Sequence, residues 1–417
     1  MRIVKLTPAA EKKLLRARQE RDAEAQRVAE RIIKDIRLRG DAALYAWAKK
    51  LDGMDLHREG PWIPEGEIRA ARAQVSGNFL QAVEHAARNV RRVAEKQLPK
   101  AWSIEVESGV QIGQMVRAIE SIGCYIPGGQ FSLLSTLVMT VVPARVGGVS
   151  HIQVACPRPN AALLAAADLL GVARIARIGG AQAIAAFAYG TKNVPRVEKI
   201  FGPGNRFVTA AKQLVSDECA IDLPAGPTEA IVLATNGNPR WIAADLLAQA
   251  EHAADAGSFF VTTSIRMARK VQGEVLRQLK QLPQSNPAHD SIERTGAILV
   301  AASLRAACEF VNRFAPEHLS LPDNGEALLQ RIHAAGTVFV GPWAAQPLGD
   351  YASGSNHVLP TGGWARRRGG LSTADFVKCI SVQSIGRRGF ANLADDVQML
   401  ARAEGLLAHA NAVEIRR

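Results

Sequence analysis

Residues 151–178 read HIQVACPRPNAALLAAADLLGVARIARI, and this stretch decides the predicted fold. Short runs rich in β-branched residues at 151–155 and 174–178 flank an alanine- and leucine-rich segment of helical length. A strand, a helix and a second strand in close succession are typical of a parallel βαβ unit. The stretch therefore predicts an α/β protein.

The same alternation extends in both directions from this unit. Further apolar runs lie at 122–125, 199–201, 230–234, 259–262, 297–300 and 337–340. Helical segments separate these runs, so we predict two parallel α/β modules.

Other regions have different patterns. Residues 102–118 alternate between apolar and polar positions around a Ser-Gly pair, which predicts a hairpin. Residues 64–96 and 391–412 have helical patterns, and Thr7 followed by Pro8 predicts the start of an N-terminal helix.

The positive net charge of the chain raises the possibility that it binds nucleic acid. The chain has 417 residues and a formal net charge of +12, and Lys and Arg side chains neutralise phosphates. Basic and acidic residues are interleaved along the helical segments, however, and aromatic residues make up only 5%, too few for base stacking. The dense run Arg366-Arg367-Arg368 is typical of a solvated loop or a local anion contact. We expect no nucleic-acid partner.

We also expect no membrane partner. The most apolar run, at 131–149, contains Ser135, Thr136, Pro143 and Arg145, which a bilayer core would penalise. The first residues lead into a charged segment without the apolar stretch of a secretory signal. The five cysteines form no C-x-x-C pair and fit a reducing compartment. A cytoplasmic location is predicted.

Glycine clusters follow several predicted strands. They are Gly128-Gly129, Gly179-Gly180 and Gly202-Pro203-Gly204-Asn205. Backbone amides at such places can approach a phosphate or a ribose, although a tight turn before a helix has the same pattern. Because no G-x-G-x-x-G occurs, this patterning alone does not predict a dinucleotide.

Two pairs of polar residues lie near predicted helix or strand ends. Gln249 and His252 are three residues apart after Asn238-Pro239, which places them on one face of a predicted helix. A metal site and an exposed pair both fit. The side chains of the adjacent residues Glu317 and His318 point in different directions but could reach one cleft from opposite walls. His318 could then accept a proton and Glu317 could position a water. An exposed pair at a strand start also fits.

Two further pairs lie in the last third of the chain. Asp350 and His357 lie in a glycine- and proline-rich connection, where they could ligate a metal, form hydrogen bonds or simply be solvated. Glu404 and His409 are five residues apart, about 140° around a helix. They can meet one ligand only if the helix bends, for example at Gly405, or if the ligand spans its edge.

Taken in order along the chain, these stretches resemble the histidinol dehydrogenase family. The resemblance covers nearly the whole sequence. The stretches that carry it are YIPGG (125–129), GGAQAI (179–184), GPGN (202–205), DLPAGPTE (222–229), QAEH (249–252), APEHL (315–319), GDYASGSNHVLP (349–360) and EGLLAH (404–409).

The resemblance implies two successive NAD-dependent oxidations of L-histidinol, through histidinaldehyde to L-histidine, as the last step of histidine biosynthesis. It implies one zinc ion per subunit, and the implied ligands are Gln249, His252, Asp350 and His409. His318 would remove the alcohol proton, and Glu317 would activate the water that adds to the aldehyde.

The resemblance also implies the binding contacts. Besides His318 and the four zinc ligands, the implied substrate contacts are Thr228, His357 and Glu404. The implied NAD contacts are Tyr125, Gln182 and Asn205.

The implied fold has two incomplete Rossmann-like parallel α/β domains with small N- and C-terminal helical segments, in an intertwined homodimer. Residues 1–18 would be an N-terminal helical arm, and 19–124 with 229–371 would form the domain with the zinc and catalytic residues. Residues 125–228 would form the domain with the NAD contacts. Residues 372–417 would reach the partner's active site, so the two subunits would share their sites and Glu404 and His409 need not meet locally.

Some positions depart from the family pattern. Thr228 stands where serine is usual and Ala253 where aspartate is usual, and Gln130 and Leu134 replace a basic residue and a proline. Gln346 and the three arginines at 366–368 are further differences. None of these removes an implied ligand or base.

Two alternatives to histidinol oxidation are considered. An enzyme of the same superfamily could use the same zinc scaffold on another small primary alcohol, such as a sulfonated diol. A non-enzymatic basic α/β protein could bind nucleic acid through the three arginines and the N-terminal helix.

Overall fold

The computed structural model describes residues 1–18, 22–128, 133–223, 226–323 and 325–417. In chain order its strands are β1 Arg2–Lys5, β2 Trp102–Glu107, β3 Val110–Ala118, β4 Ser121–Tyr125, β5 His151–Ala155, β6 Ile175–Ala176, β7 Lys199–Phe201, β8 Ala220–Ile221, β9 Glu229–Leu233, β10 Gly257–Thr262, β11 Ala297–Val300, β12 His318–Leu321, β13 Thr337–Val340 and β14 Val377–Ile385. Its α-helices are α1 Pro8–Ala17, α2 Ala23–Arg39, α3 Asp41–Trp47, α4 Leu56–Glu59, α5 Glu65–Ala70, α6 Gly77–Gln97, α7 Leu134–Val146, α8 Ala161–Leu169, α9 Gly180–Tyr189, α10 Arg206–Val215, α11 Pro239–Ala250, α12 Ile265–Leu279, α13 Ala288–Arg294, α14 Leu304–Phe314, α15 Gly325–Leu329, α16 Gln346–Tyr351, α17 Arg387–Ala403 and α18 Leu407–Glu414. A π-helical turn spans Ala48–Asp52, and short 3-10 helices span Ala71–Gln74, Trp364–Arg366 and Thr373–Phe376.

The described residues form two parallel sheets, which confirms the predicted α/β class. The larger sheet has six strands in the order β1-β11-β10-β9-β12-β13. The smaller has five in the order β6-β5-β4-β7-β8. In both sheets the central strands are short, apolar and buried, as expected when helices cover both faces.

The helices between 23 and 97 pack on the five-stranded sheet. Val83 and Val90 of α6 share an apolar cluster with Ile122 of β4, and Ile36 of α2 shares another with Ile184 of α9. This packing differs from the predicted grouping of residues 19–124 with the other sheet, because an apolar helix face does not specify which sheet will cover it. The domain limits stay a prediction.

The N-terminal segment combines a strand and a helix. Thr7 caps α1 by accepting a hydrogen bond from Ala10 N, as predicted, with Pro8 in the first turn. The preceding residues Arg2–Lys5 form β1 on the edge of the six-stranded sheet, next to β11. The segment is therefore not wholly helical, because Arg2–Lys5 has two β-branched residues, Ile3 and Val4, at its centre and can extend a sheet edge.

The predicted hairpin is present as β2 and β3. Its third strand, β14, comes from the C-terminal region and pairs antiparallel with β3 along nine residues. After β14 the chain forms α17 and α18, which pack on each other, and the break between them contains Gly405 at φ +75°. The helical tail is therefore broken at the glycine where a bend would let Glu404 and His409 approach one ligand.

The three arginines at 366–368 make contacts with other residues of the same chain. Arg366 donates to Arg313 O, the guanidinium of Arg367 lies 4.8 Å from the centre of the Trp364 ring, and Arg368 donates to Asp222 O and Asp375 Oδ1. These contacts favour the local anion contact over a nucleic-acid surface. Among the described helices, none is long and apolar enough to cross a membrane.

A buried ion pair fixes the loop after β7. The side chains of Lys212 in α10 and Asp222 are 4% and 0% exposed and are in direct contact. Lys212 Nζ also donates to Gly202 O at 2.8 Å, and Asp222 Oδ2 accepts from Gly202 N at 2.7 Å. Both polar groups of Gly202 are therefore held by this pair.

Replacing Lys212 with methionine should lower the free energy of unfolding by about 3–5 kcal/mol, because the carboxylate of Asp222 stays buried without its cation. Urea unfolding measures the change. Lys49→Met is the matched control, since Lys49 pairs with Asp55 but is 69% exposed, and its loss should cost less than about 1 kcal/mol. Equal losses in the two variants would contradict this assignment.

Candidate active site

Three of the four polar pairs singled out by sequence contribute residues to one cluster at the amino end of two neighbouring strands of the six-stranded sheet. Thr228 and Glu229 lead into β9, Glu317 and His318 lead into β12, and His318 is in register with Ala230. Ala315, at φ 51°, turns the chain from the end of α14 toward β12. A left-handed alanine costs about 1 kcal/mol, a cost that the surrounding contacts must offset.

Glu317 is buried and hydrogen-bonded through one oxygen. Its Oε2 accepts from Thr228 Oγ1 at 2.5 Å and from Glu229 N at 3.0 Å, whereas Oε1 has no hydrogen-bond partner among the described residues. Burial raises the pKa of Glu317, and the neighbouring His318 and Thr228 only partly oppose this shift. The carboxyl group can therefore exchange a proton more readily than an exposed glutamate near neutral pH.

A short chain of hydrogen bonds orients the amide of Gln249. The ionised Glu317 only accepts, so Thr228 must donate to it, and Thr228 Oγ1 in turn accepts from Gln249 Nε2 at 2.7 Å. Gln249 Oε1 then accepts a hydrogen bond from Gln346 Nε2 at 2.6 Å. Gln249 and Gln346 are almost fully buried, so this side of the site is rigidly held.

His318 lies between two carboxylates without forming a hydrogen bond to either. Its Nδ1 is 3.7 Å from Glu317 Oε2, its Nε2 is 3.5 Å from Asp350 Oδ1, and neither ring nitrogen has a hydrogen-bond partner within the described ranges. Burial by itself lowers the pKa of His318, but the two carboxylates outweigh it and the net shift is upward. A buried imidazole with both nitrogens unpaired is suited to accept a proton from a bound ligand.

Asp350 and His357 adjoin the same site. Asp350, in α16, has a pKa lowered below its usual range because His318 and other histidines outweigh the effect of burial. His357 Nδ1 lies 2.8 Å from Asp350 O, and its Nε2 lies 3.3 Å from Thr136 Oγ1 of α7. His357 therefore connects α16, which carries Asp350, to α7, a helix next to the five-stranded sheet.

Gln249 and His252 do not share a helix face, so that prediction is wrong. The helix starts at its predicted cap, Asn238, but ends at Ala250, and His252 lies beyond it and is exposed. His252 Nδ1 is 3.0 Å from Ala248 O. Because a carbonyl only accepts, the proton is on Nδ1 and the lone pair of Nε2 is free for a ligand.

Glu404 and His409 lie outside this cluster. Both are exposed on the C-terminal helical pair, and neither contributes to the pKa shifts of Glu317, His318, Asp350 or His357. The structure of one chain therefore brings together the substrate and metal candidates on the six-stranded sheet but not the two on the tail.

The three candidate NAD contacts lie at the carboxyl end of the five-stranded sheet. Tyr125 ends β4, and its hydroxyl accepts from Gly180 N at 3.2 Å. Gln182 is fully buried in the first turn of α9. Asn205 follows β7 and caps α10, with its side-chain oxygen accepting from Phe207 N and Val208 N.

The order of the strands favours ligand binding at the carboxyl end of the five-stranded sheet. The chain runs from β4 through β5 to β6 on one side and returns to β7 on the other, and open parallel sheets bind ligands where the direction reverses. Gly202, at φ +110°, allows the closest approach here, since a Cβ at this position would lie 2.1 Å from Tyr125 O. Of the glycine cluster at the end of β4, Gly129 and the adjacent Gln130 lie outside the described residues, as do Pro224 and Ala225 of the 222–229 stretch.

Comparison with known proteins decides the family. Residues 15–417 match the family described as histidinol dehydrogenase. A histidinol dehydrogenase of Aquifex aeolicus is 43% identical over 398 residues, which cover 95% of this chain and 93% of that protein. One of Agrobacterium fabrum is 45% identical over 391 residues, covering 92% and 90%. This chain belongs to the histidinol dehydrogenase family.

A solved structure agrees with this membership. The crystal structure of histidinol dehydrogenase from Elizabethkingia anophelis superimposes with a TM-score of 0.93 at 37% identity, covering 100% of this chain and 98% of that one. The predicted family, the α/β fold and an oxidoreductase function are confirmed. Neither the sulfonated-diol alternative nor a nucleic-acid-binding protein is favoured.

Sequence reasoning missed one residue of the histidinol dehydrogenase site, Arg18. Arg18 forms a nearly buried ion pair with Glu229 and donates to Phe314 O at 2.5 Å. It thus ties the end of α1 to the start of β9 and to the end of α14, which precedes Glu317 and His318. Burial raises the pKa of Glu229 to about 7, with Arg18 opposing the shift. No sequence signal marked Arg18, because its partner is 211 residues away.

Proposed function

We propose that this protein oxidises L-histidinol to L-histidine in two NAD-dependent steps, through histidinaldehyde, as the last step of histidine biosynthesis. The observation that carries the proposal is the buried His318, unpaired at both nitrogens and held between Glu317 and Asp350. This arrangement pairs a proton acceptor with a separate carboxyl group, as an alcohol oxidation followed by hydration of an aldehyde requires.

His318 serves as the base of the first oxidation. As the alcohol proton moves to a ring nitrogen, the substrate carbon gives a hydride to NAD, and the product is the aldehyde. The imidazolium that forms is stabilised by the carboxylates of Glu317 and Asp350 at 3.7 and 3.5 Å. Because the site is buried, these charges act with little screening by water.

Glu317 serves the second oxidation. Its oxygen Oε1 accepts a proton from a water that attacks the aldehyde carbon, while Thr228 and the amide of Glu229 hold Oε2 in place. As the water adds, the imidazolium of His318 gives its proton to the aldehyde oxygen, which yields the hydrate and a neutral His318. His318 can then deprotonate a hydroxyl group of the hydrate while a second hydride passes to a second NAD. Thr228, the departure from serine, supplies the hydroxyl that this geometry needs.

The candidate ligands have the atom types that bind zinc. Gln249 and Asp350 offer oxygens and His252 offers Nε2, a set that suits a borderline metal. No three His, Cys, Asp or Glu side chains converge on a metal position in the described part of the chain, and His409 is exposed on the tail of the same chain, so one subunit would supply three of the four ligands. His409 would be the fourth ligand. The zinc would bind and orient histidinol, next to His357 and Glu404 as further contacts.

The incomplete set supports a homodimer in which the C-terminal tail, residues 372–417, completes the partner's site. The three-stranded sheet β14-β3-β2 and the tail helices α17 and α18 expose many large apolar side chains in a single chain. These are Trp102, Ile104, Val106, Ile380, Val382, Ile385, Val397, Met399, Leu400, Leu406, Leu407 and Ile415. Exposed apolar patches of this kind are typical of protein interfaces. Glu404 and His409 lie on this same apolar unit. Such a dimer, acting in the cytoplasm, is the form that we propose.

Mixed dimers test the sharing of sites. His409→Ala and His318→Ala should each be inactive alone, but unfolding and refolding them together should restore about a quarter of the wild-type activity. Half of the random dimers are then mixed, and one of their two sites has an intact His318 and an intact tail. If the mixture stays inactive although mixed dimers form, the sites are not shared.

Substrate choice tests the proposed reaction itself. With zinc-loaded protein and excess NAD, L-histidinol should be converted to L-histidine, identified by mass spectrometry, and a sulfonated diol should not react measurably. Turnover of the diol without turnover of histidinol would overturn the proposal and leave the family assignment intact.

A further inference from the structure

One carboxylate that the proposed reaction does not use lies beside a proposed NAD contact. Asp52 ends the π-helical turn Ala48–Asp52, a local geometry that is frequent at functional sites. Its Oδ2 accepts from Gly179 N at 3.2 Å and from Gln182 Nε2 at 2.9 Å. Asp52 therefore connects the N-terminal helical region to the first turn of α9.

This contact determines which atom of the Gln182 amide points away from Asp52. The oxygen and nitrogen of an amide are nearly interchangeable in shape, so the hydrogen-bond network must decide between them. A carboxylate only accepts, so it selects the nitrogen and leaves Oε1 on the other side. Burial raises the pKa of Asp52, and the bonds from Gln182 and Gly179 oppose this shift by stabilising the carboxylate.

The oxygen that results is an acceptor without a donor. Gln182 is fully buried, and its Oε1 has no hydrogen-bond partner in the described part of the chain. Leaving a buried acceptor unpaired costs about 1–3 kcal/mol, and a ligand that donates to it would remove that cost.

The residue next to Gln182 Oε1 is a glycine, which leaves space for a ligand beside this oxygen. Residue 180 is a glycine at φ +57°, and a Cβ there would lie 2.6 Å from Gln182 Oε1. Any side chain at 180 would therefore cover this oxygen. The amide of the same glycine donates to the hydroxyl of Tyr125, so two of the three proposed NAD contacts, Tyr125 and Gln182, adjoin Gly180.

We propose that Asp52 is a positioning residue for the dinucleotide, which holds Gln182 so that Oε1 accepts a hydrogen bond from a hydroxyl or amide donor of NAD. This inference rests on the proposed function, in which NAD is the oxidant. Asp52 acts only through Gln182 and does not touch the reacting atoms.

A double-mutant cycle on the full-length enzyme tests this role. Asp52→Ala and Gln182→Ala should each raise the KM for NAD about tenfold, with an unchanged KM for histidinol, when assayed well below the Tm of each variant. Because Asp52 acts through Gln182, the double variant should be no worse than Gln182→Ala. Asp55→Ala, which removes an exposed carboxylate three residues away, should leave the KM for NAD unchanged.

An exchange of the two groups is a second test that does not depend on the alanine variants folding. Gln182→Glu places two carboxyl groups in contact and should raise the KM for NAD at least tenfold. Adding Asp52→Asn supplies an amide donor for the carboxylate introduced at position 182, which again presents an oxygen to the cofactor, so the KM should return to within about threefold of wild type.

The outcomes separate this inference from the proposed function. A wild-type enzyme that does not oxidise histidinol with NAD would overturn both. If the wild type is active but the two alanine effects add, or if the exchanged variant binds NAD more weakly than Gln182→Glu, then Asp52 has only a structural role and the inference fails alone.

Discussion

Replacing His318 with asparagine should lower kcat for histidinol by a factor of about 10²–10⁴, the usual contribution of a positioned general base. Asparagine keeps a polar side chain of similar length but cannot take up the alcohol proton. In the proposed reaction the buried carboxylates of Glu317 and Asp350, at 3.7 and 3.5 Å, stabilise the imidazolium of His318; in the variant they have no cation to face. Steady-state NADH formation measures the effect.

The control for this variant is His333→Asn, because His333 is exposed and lies away from the cluster. It should keep wild-type kcat. His318→Asn should also bind NAD normally, since the candidate cofactor contacts lie on the other sheet. A His318→Asn enzyme with more than about a tenth of the wild-type kcat would show that another group removes the proton.

Replacing Glu317 with glutamine should separate the two oxidations. The amide oxygen of glutamine can keep the bonds from Thr228 and Glu229 N, but glutamine cannot accept a proton from water. We expect hydration of the aldehyde, and hence the second oxidation, to slow by about 10²–10⁴. NADH per histidinol should fall from two toward one, and histidinaldehyde should accumulate and be trapped by hydroxylamine.

Glu326→Gln provides the matched control, because Glu326 is an exposed glutamate of the same domain and its loss should leave the NADH yield at two. If Glu317→Gln still forms two NADH per histidinol and releases no aldehyde that can be trapped, then Glu317 does not activate the water.

The parallel sheets could be predicted because most residues of their strands are apolar. The runs at 297–300 and 337–340 match β11 and β13 at both ends. Three other strands were not predicted. β8 has only two residues, β1 is four residues long with a charge at each end, and β14 is largely exposed, so none shows the burial pattern by which strands are recognised.

The candidate site was predictable in its residue types but not in its geometry. Spacing placed Gln249 and His252 on one helix face, yet the helix ends between them. Their approach to Asp350 depends on how the chain leaves the helix, which periodicity does not describe. The pair Arg18–Glu229 and the contact Asp52–Gln182 join residues 211 and 130 positions apart, and local sequence carries no information on such pairs.

The position of the site also follows from tertiary structure alone. Glu317 and His318 lie at the amino end of β12, whereas Tyr125 and Asn205 follow the carboxyl ends of strands in the other sheet. Ligands of open parallel sheets usually bind at carboxyl ends. Glu317 and His318 depart from this rule, and the His357–Thr136 contact brings a third candidate residue of this cluster against a helix next to the other sheet.

The most direct test of the proposed function is the yield of NADH from a limiting amount of L-histidinol with excess NAD. Zinc-loaded protein should form about two NADH per histidinol, as a four-electron oxidation requires, and a strong chelator should abolish the reaction until zinc is restored. A yield of one with the wild-type enzyme, or no reaction with zinc bound, would contradict a two-step oxidation at this site.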